Sequence, residues 1–266
     1  KQLLFFFFPI LIGSFFQQLY NTVDTIIVGQ AVGTSALAAV GSTGNLTSLI
    51  VNFYVGLSTG ASVVIAQYYG AQNNKKIHQA VHTSYSLAIV SGILMMLFGL
   101  FFSYQCLDAI GTPHDILNDA TLYMQLYFLC MIPGAIYNIG AGILRAVGDS
   151  KRPLYYLIVC SIVNVVFDYI FVVIFHQGIA GAAIATVIAQ FVCAILVTIQ
   201  LMRTNEVYKL TLSKMKFHLP VLKKIIMIGA PAGIQSTMYS ISNIVLQSHI
   251  NAFGTQTIAS WSVYVK

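Results

Sequence analysis

Charged side chains are scarce in this sequence: they make up 8% of 266 residues, whereas a soluble domain carries about 25%. A surface facing water cannot be covered with so few charges, and 58% of the residues are hydrophobic, with a mean hydropathy of +0.81. The same figures exclude an intrinsically disordered chain, which needs low hydrophobicity and high charge. A nucleic-acid binder is excluded as well, because the net charge of +6 comes from only 13 cations and no dense basic face. Paired cysteine motifs are missing: Cys106, Cys130, Cys160 and Cys193 stand singly in or beside apolar runs, as small packing residues do. There is no nucleophile elbow, phosphate loop or HExxH helix, which argues against a membrane-embedded hydrolase and an ATP-driven pump, so no enzymatic activity is expected.

What the chain has in abundance is long apolar segments. Crossing about 30 Å of hydrocarbon takes roughly 20 helical residues, and these runs are too long for barrel strands. The sequence predicts spans at 3–32, 36–69, 77–107, 116–146, 153–175, 179–202 and 219–252, with an eighth beginning near Thr257. The first could pass for a signal peptide, but its small-residue site, Ala36-Leu37-Ala38, lies too far beyond the apolar run, so it is read as a retained span. The fold class expected is all-α and polytopic: a six-helix lobe followed by the start of a second, parallel-repeat lobe. The chain starts at Lys1 rather than Met and ends at Lys266 just after a new apolar segment opens, as a piece of a twelve-helix protein would.

The cations set the orientation. Lys75 and Lys76 follow span two, Arg145, Lys151 and Arg152 follow span four, and Arg203, Lys209, Lys214, Lys216, Lys223 and Lys224 follow span six, while the alternate loops hold none. With Lys1 they fall on one side, which the positive-inside rule makes cytoplasmic, together with the amino terminus. Residues 1–203 read as an amino-terminal lobe, 204–218 as a polar inter-lobe linker, and 219–266 as the first helix and start of the second helix of another lobe. The run from Ala252 to Ser260 echoes that from Ala31 to Ala39, each just after the first span of its half, as a duplicated lobe would show.

Of seven acids, five sit in or beside loops; Asp24 and Asp168 lie inside spans one and five. A charge there costs at least about 2.5–3.5 kcal/mol, which makes an intramembrane acid a functional candidate. At about 1.5 Å per residue, Asp24 lies roughly 14 Å from Gly33, Asp168 roughly 15 Å from Gly178, Thr186 roughly 12 Å from Gly178 and Tyr123 roughly 15 Å from Pro113. All four share one level, and Asn164 stands one turn from Asp168 on the same helix face. Carboxylates, an amide oxygen and hydroxyls form a hard-oxygen site for a proton or a small cation. A carboxyl enclosed away from water takes up such an ion more readily. The competing reading is that these groups only hydrogen-bond neighbouring helices. Pro9 removes a backbone hydrogen bond fifteen residues before Asp24 and would let span one bend. His78 and His82 have the spacing of a metal clip but lack a third ligand, so no metal beyond Na⁺ at the acidic site is expected.

Several stretches together resemble the multidrug and toxic compound extrusion (MATE) family. They are Pro9 with Val23-Asp24-Thr25-Ile26-Ile27-Val28-Gly29, Gly56 to Gly60 leading to Gln67-Tyr68-Tyr69-Gly70-Ala71, Leu144-Arg145-Ala146-Val147-Gly148-Asp149-Ser150-Lys151-Arg152-Pro153, and Gly178 to Thr186. The resemblance implies a secondary antiporter of two six-helix lobes in the plasma membrane. It would export organic cations or amphipathic toxic compounds in exchange for H⁺ or Na⁺, with no other cofactor. It carries a cation site over to Asp24, Asn164, Asp168 and Thr186, with Tyr123 as a neighbour, and a bend at Pro9. A branch with an acid in span seven is not matched, since residues 207–266 contain none; the DinF-like, amino-lobe arrangement is. Partners expected are small drug-like molecules and the bilayer. The alternatives are a flippase for lipid-linked oligosaccharides, which would line its cavity with cations to hold pyrophosphate, and a channel or receptor.

Overall fold

The computed structural model describes residues 2–264; Lys1 and Lys266, both part of the charge count, lie outside the described residues. The chain forms α1 (Gln2–Ala31), α2 (Thr34–Gly70), α3 (Asn74–Ala109), α4 (His114–Phe128), α5 (Met131–Ala146), α6 (Lys151–Asp168), α7 (Gly178–Arg203), α8 (Leu219–Asn251) and α9 (Thr255–Tyr264), with no strand among the described residues. Each expected span end falls within three residues of a helix end. By length and composition α2, α3, α6 with its extension to Ile174, and α7 can cross a membrane, and α4 with α5, taken as one bent span, makes a fifth.

The structure departs from unbroken helices in two places. The fourth span is broken at Leu129 and Cys130, where α4 and α5 meet at a bend of 46°. Pro133 explains it: a proline cannot donate to the carbonyl four residues back, here that of Leu129, and its ring crowds that turn. The fifth span widens immediately after Asp168 into a π turn, Tyr169–Ile174, whose amide of Phe175 bonds the carbonyl of Ile170. Wide turns of this kind recur at functional sites because they re-aim the side chains on either side.

The two copies of the sequence echo occupy matching places. Gly33, between α1 and α2, and Gly254, between α8 and α9, both adopt positive φ (116° and 84°), a conformation that a side chain would strain. Helix α2 is the hub, packed on α3, α4, α5, α8 and α9. Its seam with α8 is made of glycine on glycine: Gly56 lies against Gly233, and a methyl group at Gly60 would reach the Gly229 Cα at 2.6 Å. Such backbone-to-backbone approach holds helices together where lipid offers no hydrophobic drive. Amides continue the seam, with Asn52 Nδ2 donating to Ser240 Oγ at 2.9 Å and Asn45 Nδ2 to Gln247 Oε1 at 3.3 Å. Outward faces carry Leu94, Phe101, Ile162, Val166 and Ile195, all exposed, as a bilayer-facing surface requires.

Residues 204–218 are strapped to α3. His82, wholly buried, donates its Nδ1 hydrogen to the His78 carbonyl (2.8 Å) and accepts the Thr211 amide on Nε2 (3.1 Å). Thr83 Oγ1 accepts the His218 amide at 3.1 Å. The histidine pair is therefore a structural clasp. Its rings stack at 4.0 Å, and no cluster of three potential metal ligands occurs among the described residues.

Candidate functional site

The acidic site is assembled by α1, α4, α6 and α7. Asp168, the last residue of α6 before the π turn, is 0% exposed, and its carboxyl stands against that of Asp24 on α1, within hydrogen-bonding reach when one of the two carries a proton. Neither Asp168 oxygen receives a hydrogen bond from an amide or hydroxyl of the protein, and the same is true of Asn164 Oδ1. Asn164, one turn earlier and 1% exposed, donates through Nδ2 to Thr186 Oγ1 on α7 (3.4 Å), which in turn donates to the Ala182 carbonyl (3.1 Å). Tyr123, on α4 and 6% exposed, is within electrostatic reach of both acids. The four residues singled out by depth, with Asn164 from the same helix face as Asp168, are thus gathered between four helices, with the two acids meeting directly.

Two further residues belong to the cluster and were not singled out from the sequence. Tyr20 precedes Asp24 by one turn on α1, and Tyr127 follows Tyr123 by one turn on α4; each lies near Asp24. Both follow the i, i+4 rule from a residue already named, which is the signal that could have found them. Cys160 and Cys193 pack beneath, their thiols donating to the carbonyls of Ala189 and Tyr156. All four cysteines are free.

A cavity of about 530 Å³ opens between α1, α2, α5 and α6. On α1 its wall is a single helical stripe of Phe6, Pro9, Ile10, Gly13, Gln17 and Tyr20, and Asp24 is the next step of that stripe. Tyr20 and Tyr127 belong to both the cavity wall and the acidic cluster, so the two compartments adjoin there. Pro9 is the one expected site residue among the described residues that line the cavity; Asp24 and Asp168 are not among them. Helix α1 runs on through Pro9 without a break.

What can this arrangement do? A carboxyl pair of which Asp168 is fully enclosed and Asp24 half-buried, beside an amide oxygen with no donor, favours a proton or one small cation held by oxygen. Acids inside a bundle of apolar helices, with a cavity beside them, define an all-helical multi-pass membrane protein whose interior can hold an ion. The MatE family model matches residues 9–170, and the chain belongs to that family, which is one of transporters. Among curated relatives, "Probable multidrug resistance protein YoeA" of Bacillus subtilis (strain 168) is 28% identical over 265 residues, covering 97% of this chain and 57% of that protein. A solved MATE family transporter in an inward-facing conformation superposes with a TM-score of 0.86 at 27% identity, over 93% of this chain and 56% of its own. A MATE structure in a straight conformation gives 0.86 at 26% identity, over 98% and 60%. The chain therefore spans less than two thirds of the length of these relatives.

Proposed function

We propose that the chain is the amino-terminal lobe, with the start of the carboxy-terminal lobe, of a secondary antiporter in the plasma membrane. The antiporter exports organic cations or amphipathic toxic compounds in exchange for H⁺ or Na⁺. The observation that supports this reading best is the contact between Asp24 and Asp168. Two carboxylates that close repel each other, and the repulsion is relieved by a proton on one or a cation between them, so the pair responds to the ion it is exposed to.

Coupling to cargo runs through α1. The helix supplies one acid of the pair and, on the same stripe, one wall of the cavity. An ion arriving at Asp24 changes how α1 sits against α6, and Pro9, with its missing backbone donor, is where the helix can bend in response. Cargo and ion then oppose each other, by reciprocity, through one moving wall. The Lys- and Arg-bearing ends of the helices face the cytoplasm in this reading, together with the amino terminus. The absence of any acid in residues 207–266 supports a DinF-like arrangement with the ion site in the amino lobe. The flippase alternative is disfavoured by the cavity wall, which among the described residues carries one cation, Arg145, instead of the several that would hold pyrophosphate.

The test is exchange by the full-length protein in proteoliposomes under imposed pH or Na⁺ gradients. Asp24→Asn is expected to insert normally and to lose gradient-driven exchange by at least about tenfold, the scale on which a single essential ion-pair partner acts. Exchange that persists at the wild-type rate overturns the assignment.

A further inference from the structure

The cavity has a charge pattern of its own. No acidic residue is among the described residues that line it, and its one charged group is Arg145, in the last turn of α5. Arg145 extends a face of α5 that also brings Gly134 and Asn138 to the cavity, so its position there follows from helical spacing. Among the described residues it has no ion pair. The acid nearest in sequence, Asp149, is engaged by Arg152 through an ion pair of 3.3 Å and by accepting the Arg152 amide at 3.1 Å. Tyr137, a neighbour of Arg145, spends its hydroxyl hydrogen on the Pro153 carbonyl (3.1 Å).

A guanidinium that faces a largely apolar cavity without a partner has five donors to satisfy and a charge to neutralise. The remaining wall is uncharged: Val51, Val55, Met131 and Leu157 give it apolar surface, and hydroxyls such as Ser58 and the amides of Gln17 and Gln190 offer further polar contacts. About 530 Å³ lies within the roughly 300–1,000 Å³ typical of small-molecule sites. We propose that this cavity selects amphipathic compounds that carry an anionic group (carboxylate, sulfonate or phosphate), zwitterions included, and that the Arg145 guanidinium anchors that group. The proposal rests on the export reading and narrows its cargo. Among the described residues of this wall the one charged partner on offer is a cation, and an anionic group can form with it the paired, charge-assisted hydrogen bonds for which guanidinium is shaped.

The test uses two dyes that share one skeleton, anionic 1-anilinonaphthalene-8-sulfonate and neutral N-phenyl-1-naphthylamine. Their fluorescence is titrated onto the full-length protein in nanodiscs, with empty nanodiscs subtracted. Arg145→Gln is expected to weaken the sulfonate at least about tenfold, the worth of one charge-assisted pair, while the neutral dye changes by less than about twofold. Arg145→Lys should fall between. In the wild type, NaCl should weaken the anionic dye and spare the neutral one. Dodecyl phosphate should displace the sulfonate and inorganic phosphate should not. Unchanged sulfonate binding in the Gln variant overturns the proposal, as do equal losses of both dyes or displacement by inorganic phosphate. Should the Gln variant not fold, a salt-independent wild-type affinity for the sulfonate overturns it alone. Binding is read without any gradient, so a failure of exchange in proteoliposomes leaves this result intact.

Discussion

A carboxylic acid enclosed with no amide or hydroxyl to donate to it, and pressed against a second acid, destabilises the fold that encloses it, and Asp168 is such a group. Replacing it by Asn keeps its shape, removes the repulsion from Asp24 and supplies two hydrogens that the neighbouring carboxyl can accept. Asp168→Asn should therefore raise the thermal unfolding midpoint of the solubilised full-length protein, by the equivalent of about 1–3 kcal/mol, while abolishing exchange. A lower midpoint would show that the acid is structural glue. At this scale much was legible: acids are so costly in lipid that two of them in apolar spans identify themselves. Tyr20 and Tyr127 did not, because 15 tyrosines are scattered through the chain and the phenol is at home in apolar helices. Nearness to Asp24, which they share with Tyr123, is what sets these two apart.

Helices are decided here by where they must stop and where they must touch. Runs of apolar residues ended by Gly33, Gly111, Gly148 and Gly178, each at positive φ, gave boundaries that could be read directly. The bend between α4 and α5 was less legible, although Pro133 lay in view, because a proline inside a long apolar run is tolerated as often as it breaks the helix. The α2–α8 seam depends on pairing across more than 160 residues, and a single glycine carries no mark of its partner. Gly56 and Gly60 meet Gly233 and Gly229 with the same spacing of four. Gly60→Val should push α8 away, since a Cβ there would sit 2.5 Å from the Ile225 carbonyl oxygen. A loss of about 1–3 kcal/mol is expected, seen as a lowered unfolding midpoint. An unchanged midpoint would mean that the seam is dispensable.

Across the whole molecule, the order and bounds of the helices followed from hydropathy, whereas the tie between residues 204–218 and α3 did not. A buried histidine that accepts one amide looks, in sequence, like half of a metal clip. His82→Ala removes that acceptor and leaves the Thr211 amide without it, at a cost of about 1–3 kcal/mol. Limited trypsin treatment of the full-length protein should then cut at Lys209, Lys214 or Lys216 several times faster than in the wild type, and equal rates would show that the clasp holds nothing. Pinned at Thr211 and His218, the fifteen residues of 204–218 leave α8 almost no slack. If the two halves tilt against each other during a cycle, α8 must travel as cargo on α3 at that end. The joint is then a short leash, and its pivot lies where the fastening ends, at Leu219.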